Sequence, residues 1–261
     1  MPELPEVEFA VRQLRPLVVG RRIETITAHH PSQRRTLPGR ARSRIAGCRI
    51  IAVERHGKHQ LLRLDDGGAL LVHFRLDGDW EVASAGGDLP RHTRVSLRLS
   101  PPRVLALTDP RALCTLRYLA PGAPLGLSLG PEPEDPAFTA EHLRERLRSK
   151  RGPIKPVLLD QRLIAGVGNI YAGEACWHAR IAPTVPASRL SAARVARLLD
   201  GLRRTLADGH ENAGRYHRGE QRIPFEVYDR EGEPCSRCGS RIKRVEQAGR
   251  GTWYCPRCQR R

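Results

Sequence analysis

The chain is short of acids, of aromatics and of long apolar runs, and each shortage closes off a class of function. Against 45 lysines and arginines stand only 28 aspartates and glutamates, which leaves a formal net charge of +17 over 261 residues and a sequence pI of about 10.7. That is far from the near-neutral balance of an ordinary soluble enzyme, and it points to a polyanion as partner. A generally arginine-rich solubility surface accounts for the same charge. Phe, Tyr and Trp together make up 5% of the residues, and no basic helix carries the large aromatic face that would favour an anionic membrane surface. No run approaches the 18 or so apolar residues of a membrane span, and the charged start is not that of a secretory signal. A soluble, intracellular protein is expected.

A disulfide framework is absent too. Of the seven cysteines, Cys48, Cys114 and Cys176 are scattered through core-like or helical surroundings and read as buried structural thiols. The other four form two pairs, Cys235-x-x-Cys238 and Cys255-x-x-Cys258, with 16 residues between the pairs. That spacing belongs to a tetrahedral zinc site, in which two β-turn knuckles deliver four thiolates to one ion at Zn–S distances of about 2.3 Å. A redox or disulfide reading explains neither the pairing nor the spacing. Four protein ligands leave the metal no open position, so one structural Zn2+ per chain is expected, with no chemistry of its own. From Cys235 onward eight basic residues face a single acid, Glu246. The metal would hold a hairpin over 244–254 and present Arg250 to a phosphate; a solvated charged hairpin fits Arg250 equally well.

Residues 1–120 read as a β-rich region behind an amino-terminal helix. Stretches 23–27, 60–64, 69–74, 95–99 and 104–107 are short apolar or alternating runs, and Asp65-Asp66-Gly67-Gly68 is a turn signal between two of them. Strands at this spacing predict a β-sandwich with the helix packed at one edge. The Pro/Gly-rich stretch 121–136 reads as an interdomain connection. Residues 137–225 read as helical: Thr139 caps a helix ending near Leu147, Leu158, Leu159, Leu163 and Ile164 give a second its apolar face, and 170–178 and 191–206 supply two more. Residues 208–224 are polar and lack periodicity, the mark of a surface loop. Residues 226–261 hold the zinc ribbon. The expected class is α+β.

The octapeptide Met1-Pro2-Glu3-Leu4-Pro5-Glu6-Val7-Glu8 crowds two prolines and three carboxylates into a stretch where chains ordinarily fray. Loss of Met1, which the small Pro2 permits, would leave a secondary amine with a pKa of roughly 8. Such an amine attacking an aldehydic carbon gives an iminium with no nitrogen proton to lose, so the positive charge stays and draws electrons from neighbouring bonds. Pro5-Glu6 is a helix start, and Val7, Ala10, Val11, Leu14, Leu17 and Val18 follow at helical spacing. A buried helix would hold Pro2 near its first turn, with Glu3 beside it to give or take a proton. An ordinary capped helix with surface glutamates is the competing reading.

The octapeptide resembles the amino terminus of the formamidopyrimidine-DNA glycosylase and endonuclease VIII family. The resemblance continues in order through His56-Gly57-Lys58, Thr108-Asp109-Pro110-Arg111, Gly130-Pro131-Glu132-Pro133, Ile154-Lys155-Pro156, Gly166-Val167-Gly168-Asn169-Ile170-Tyr171 and the zinc pattern, and so covers nearly the whole chain. It implies an N-terminal β-sandwich, a helix-two-turn-helix domain and a C-terminal zinc-ribbon finger. It implies a bifunctional DNA glycosylase/AP lyase of base excision repair that removes oxidised bases and nicks the strand by β,δ-elimination. The partner would be damaged double-stranded DNA, and the protein a cytoplasmic, nucleoid-associated monomer.

By the same resemblance Pro2 is the nucleophile, Glu3 the acid, Glu6 a second carboxylate and Lys58 part of the catalytic set. Lys58, His73, Asn169 and Arg250 would contact the phosphate backbone, with Lys155 and Arg111 also on the DNA. Leu76, Arg111 and Leu113 would fill the space an extruded base vacates, and the 208–224 loop would close over that base. Taken singly, Lys58 fits a plain surface lysine, His73 a satisfied strand histidine and Gly166-x-Gly168 a tight helix–helix turn. The chain departs from the guanine-lesion branch where His-Leu-Gly-Met-Ser-Gly becomes His73-Phe74-Arg75-Leu76-Asp77-Gly78, and where Asp-Pro-Arg-Arg-Phe-Gly becomes Asp109-Pro110-Arg111-Ala112-Leu113-Cys114. An aliphatic wedge still parts a base step but gives up an aromatic stacking face. Lesion preference and opposite-base selectivity therefore stay open. The rival reading is a non-catalytic zinc-finger DNA-binding protein, architectural or regulatory. Charge and zinc serve both readings; the amino terminus separates them.

Overall fold

The computed structural model describes residues 2–84, 86–217 and 225–260. It divides into two compact units, one of Met1–Pro2 with Glu6–Leu127 and the other of Glu3–Pro5 with Ser128–Arg261. Among the described residues no helix is long and apolar enough to cross a membrane.

The first unit carries most of α1 (Leu4–Val18) and eight strands in two antiparallel sheets. One sheet has the order β1 (Arg22–Ala28), β6 (Thr93–Ser100), β7 (Arg103–Thr108), β5 (Asp79–Ala83). The other runs β2 (Ile50–His56), β3 (His59–Leu64), β4 (Ala69–His73), β8 (Thr115–Leu119). Ala10, Val11, Leu14 and Val18 of α1 bury their side chains in one core with Val95, Leu97 and Leu99 of β6 and Leu105 and Leu107 of β7. Each valine or leucine among them contributes about 2 kcal/mol of transfer free energy. Two bulges keep the apolar side chains inward despite broken alternation. Ile23 and Ile26, three apart in β1, both reach the core because the register against β6 shifts between Ile23 and Thr25. Ile50 and Val53 do the same in β2, across a shift between Ile50 and Ala52. The unbroken apolar runs of β3 and β4 have a second cause. Their outer residues Leu61, Ala69 and Leu71 are covered by Leu119, Leu125 and Leu127.

Two short helices, α2 (Pro31–Thr36) and α3 (Gly39–Ile45), and strands β2, β5 and β8 are additions to the sequence reading. In the second unit α4 (Ala140–Leu147) starts as expected at Thr139, whose hydroxyl accepts from His142 N while His142 Nδ1 accepts from Thr139 N, both at 3.4 Å. The expected second helix is corrected. α5 (Ile154–Leu158) is only five residues long, and Leu163 and Ile164 reach the core from a non-helical turn. That turn is tied by Gln161, whose amide donates to Leu159 O and Val167 O and accepts from Gly166 N. α6 (Asn169–His178) follows. α7 (Ala192–His217) is longer than the sequence indicated, so 208–217 are helical rather than loop. The expected base-covering loop lies, over 218–224, outside the described residues. The ribbon hairpin forms from β9 (Lys243–Gln247) and β10 (Arg250–Tyr254).

Candidate functional site

In the second unit the chain's first residues dock onto the start of α6. Leu4 N donates to Gly166 O at 3.0 Å, and the Leu4 side chain is fully buried among Ile170, Tyr171 and Leu206. Glu3, 1% exposed, accepts from Ile170 N at 2.9 Å and from Tyr171 N at 3.4 Å. Its carboxylate thus sits on the free amides at the positive end of a helix, where an anion is favoured. Both glycines of Gly166-Val167-Gly168 answer to this docking. Gly166 has φ +84°, and a Cβ there would lie 2.4 Å from the Leu4 side chain; a Cβ at Gly168 would lie 2.3 Å from the Glu3 carboxyl carbon. The close approach that the sequence left open between backbone and phosphate is therefore made by Glu3 and Leu4. Gly168→Ala should expel Glu3 from its amides and lower kcat/KM at least about 100-fold with duplex affinity kept, the scale of a misplacement near 1 Å. Single-turnover kinetics at the wild-type rate in that variant would sink the assignment.

Lys155 is 1% exposed, and its Nζ donates to Asn169 Oδ1 at 2.6 Å, Gly251 O at 2.9 Å and Thr252 Oγ1 at 2.6 Å. Three acceptors match its three hydrogens. Burial pushes its pKa down to about 8; Arg250 acts in the same direction, and Cys176 and Glu3 oppose it. Asn169 Nδ2 also donates to Gly251 O at 3.2 Å. The start of α6 and the start of β10 are thus locked together, with Arg250 exposed at the end of the hairpin.

The four ribbon thiols fit a metal. Their Sγ atoms lie within 4.8 Å of one another, and Cys238 Sγ to Cys255 Sγ is 3.5 Å. Tetrahedral Zn–S bonds of about 2.3 Å call for sulfur separations of about 3.8 Å. Hydrogen bonds from the Ser240 hydroxyl and backbone draw the Cys238 thiol down to about 6, toward the thiolate a metal needs. Trp177, Val227, Ile242 and Trp253 pack against the cysteines. Cys235, Cys238, Cys255 and Cys258 would hold one Zn2+ with no open position, which makes its contribution structural.

In the first unit Pro2 is buried and Glu6 is 1% exposed in the first turn of α1. Lys58 lies in the two-residue connection between β2 and β3 and is 7% exposed, which a plain surface lysine would not be. His59 and His73 pair across β3 and β4, with ring centroids 4.6 Å apart. Burial first, then the charges of His59, Arg75 and Lys58, push His73 down to about 3. The ring is neutral near pH 7. Its Nδ1 accepts from Arg75 N at 2.9 Å, so that hydrogen bond assigns the proton to Nε2, where it can be donated to an anion.

The two loops that carry Leu76, Arg111 and Leu113 come together. Asp109, fully buried, accepts at Oδ1 from Arg111 N at 2.9 Å and at Oδ2 from Leu113 N and Cys114 N, each at 2.6 Å. One carboxylate shapes the whole turn, which leaves Leu113 46% exposed. Arg111 Nε meets Asp77 Oδ2 at 2.8 Å, which links this turn to the one bearing Leu76. Arg75 and Ala112 both take positive φ, 62° and 55°.

Sequence reasoning gave Asp109 and Asp77 no role of their own and passed over Glu174. Glu174 is 3% exposed and accepts from the amides of Glu226, Val227 and Tyr228 at 2.8–3.0 Å. Burial pushes it up to about 7 against those three bonds. A lone acid inside the otherwise apolar run of α6 was the available signal.

Residues 1–116 match the family model for the formamidopyrimidine-DNA glycosylase N-terminal domain, 129–218 that for its H2TH domain, and 232–261 a zinc finger found in FPG and IleRS. The chain is 43% identical over 278 residues to a formamidopyrimidine-DNA glycosylase of Roseiflexus sp. (strain RS-1), covering all of both. It is 41% identical over 271 residues to that of Chloroflexus aurantiacus, covering 99% of this chain and 98% of the relative. Among solved structures, the Lactococcus lactis enzyme non-covalently bound to AP-site DNA superposes with a TM-score of 0.91 at 31% identity, over 99% of this chain and 100% of that one. MutM in complex with DNA containing carbocyclic 8-oxo-G gives 0.87 at 33% identity, covering all of both chains.

Proposed function

This chain belongs to the formamidopyrimidine-DNA glycosylase family, and from that premise we propose that it removes oxidised bases from duplex DNA and then nicks the strand, with the Pro2 nitrogen as nucleophile. The observation that carries the reading is the docking of Glu3 on the amides of Ile170 and Tyr171. A protein that only gripped DNA would have no use for an acid fixed beside its terminal amine.

The target base must leave the stack before it can be attacked. Lys58, His73, Asn169 and Arg250 hold the flanking phosphates; Lys155, whose hydrogens are all engaged, acts by positioning Asn169 and the hairpin. Leu76, Arg111 and Leu113 enter the vacated space, and Asp77 orients the guanidinium that meets the orphaned base. Pro2 nitrogen forms a bond to C1′ as the bond from C1′ to the base breaks, the base leaving with the bonding pair and taking a proton from water; Glu3 takes the proton that the amine sheds and passes it to the sugar ring oxygen, so that the ring opens to the iminium. Glu6 is the second carboxylate available to the amine. The resulting iminium acidifies C2′. Loss of that proton expels the 3′ phosphate, and a second elimination expels the 5′ phosphate. The zinc ion, held by four cysteines, supplies fixation of the ribbon and takes no part in these steps. The protein works as a monomer on damaged nucleoid DNA.

The test is a side-by-side assay with borohydride on duplexes bearing an abasic site, an oxidised purine, a ring-opened purine or an oxidised pyrimidine. A covalent adduct together with incision on at least one lesion is expected. Tight duplex binding with neither adduct nor incision on any of them would favour the non-catalytic binder.

A further inference from the structure

Beyond the carboxyl end of α6, away from Asn169, the second unit has a cleft of about 770 Å³ walled by Arg180, Arg194, Arg197, Arg237, Arg257 and Arg260, with Cys238 and Cys258 in its floor. α6 has ten residues, so at about 1.5 Å per residue its two ends stand about 15 Å apart. Among the described residues none of the six guanidiniums is paired with a carboxylate. Three are held by backbone carbonyls instead: Arg194 donates to Arg260 O at 2.9 Å, Arg197 to Ala179 O at 3.4 Å and Arg237 to Trp177 O at 3.1 Å. The Arg237 guanidinium also lies 3.7 Å over the Trp177 ring. Burial and the charge of Arg197 both lower the pKa of Arg194, as expected where like charges gather without relief.

The zinc site explains part of this charge and not the rest. A divalent ion on four thiolates carries a formal charge of minus two, which offsets two of the six positive charges. A solubility surface would spread its charge and leave the side chains free; here six converge and three of them are fixed. The charge that remains is matched by a multivalent anion. Guanidinium forks match phosphate oxygens in pairs, and the lining has no aromatic on which a base could stack, so the complement is a phosphate chain rather than a nucleobase.

We propose that this arginine cleft is a second DNA-backbone site, which holds an undamaged segment while the lesion duplex occupies the site at Asn169 and Arg250. The choice of DNA as the phosphate chain rests on the glycosylase reading; the anion site itself does not. Such a site lets the protein pass from one segment to another without full release.

The experiment uses the full-length zinc-loaded protein, saturated with a short duplex carrying a non-cleavable abasic analogue, and titrates in a second, fluorescent undamaged duplex. A ternary complex is expected, falling steeply with salt as phosphate contacts do. Arg194→Glu with Arg197→Glu should weaken the second duplex at least tenfold and leave incision of a short lesion duplex unchanged. Arg194→Gln with Arg197→Gln, checked for zinc content and thermal midpoint, guards against misfolding in the charge-reversed form. Exclusion of the second duplex at one-to-one stoichiometry, or second-site binding untouched by both variants, overturns the proposal. Variant-sensitive binding of tripolyphosphate without any second-duplex binding assigns the cleft to free polyphosphate and overturns it as well. A wild-type protein that forms the ternary complex but incises nothing leaves the cleft standing and removes the glycosylase reading.

Discussion

Protein that retains Met1, or that carries a few residues ahead of Pro2, is expected to bind lesion duplex normally and to release no base. An acylated nitrogen shares its lone pair with the new carbonyl, so it neither attacks C1′ nor forms an iminium. Loss of a covalent nucleophile costs a catalyst on the order of 10⁴- to 10⁶-fold in rate. Pro2→Gly restores an amine, but a primary one whose imine can shed its proton, on a residue without the ring that fixes its direction; borohydride trapping is expected to be lost in that variant too. Mass spectrometry of the mature chain and trapping on abasic DNA check both forms. A preparation that uniformly keeps Met1 and incises at full speed would end the nucleophile assignment.

Removal of zinc is expected to have the next largest effect, one that does not stay in the ribbon. Structural zinc contributes about 10–16 kcal/mol to the folding of small sites of this type. When Cys255→Ser or a chelator opens the site, the hairpin of β9 and β10 loses its anchor, and Lys155 loses Gly251 O and Thr252 Oγ1, two of its three acceptors. A buried ammonium left with one partner is costly. The start of α6 should loosen, and with it the seat of Glu3. Duplex affinity is expected to fall at least about 100-fold and incision with it, with recovery on adding back Zn2+ to the chelated wild type. Metal content and affinity measured on the same sample decide the matter: a zinc-free Cys255→Ser protein that grips DNA normally would refute this account.

What the sequence disclosed, and what it hid, follows from how far apart the interacting residues are. The zinc pattern and the α1 start are local signals, read from spacing and capping alone. Strands β2, β5 and β8 went unread, and all three are edge strands of their sheets. An edge strand is half solvated and carries charge, as Glu81 and Arg117 do, so its apolar alternation is diluted. α7 was cut short because His210, Glu211 and Asn212 look like loop residues, yet His210 reaches Glu134 at 2.9 Å, a contact no local rule supplies. Glu3 and Ile170 are 167 positions apart. Two motifs recognisable separately turned out to be one device, in which Gly168 is bare because Glu3 is there. Asp109 and Glu174 were hidden for the same reason: a carboxylate that collects three amides announces itself only in three dimensions.

The burial of Pro2 and Glu3 bears on how the enzyme matures. An aminopeptidase must draw the end of a polypeptide into its own cleft, and Pro2 and Glu3, the residues behind that end, are buried in the folded chain. If Pro2 is the nucleophile, trimming of the initiator is expected on the nascent chain, ahead of the docking of Leu4. On that proposal, the order of those two events would divide newly made copies into working and inert ones.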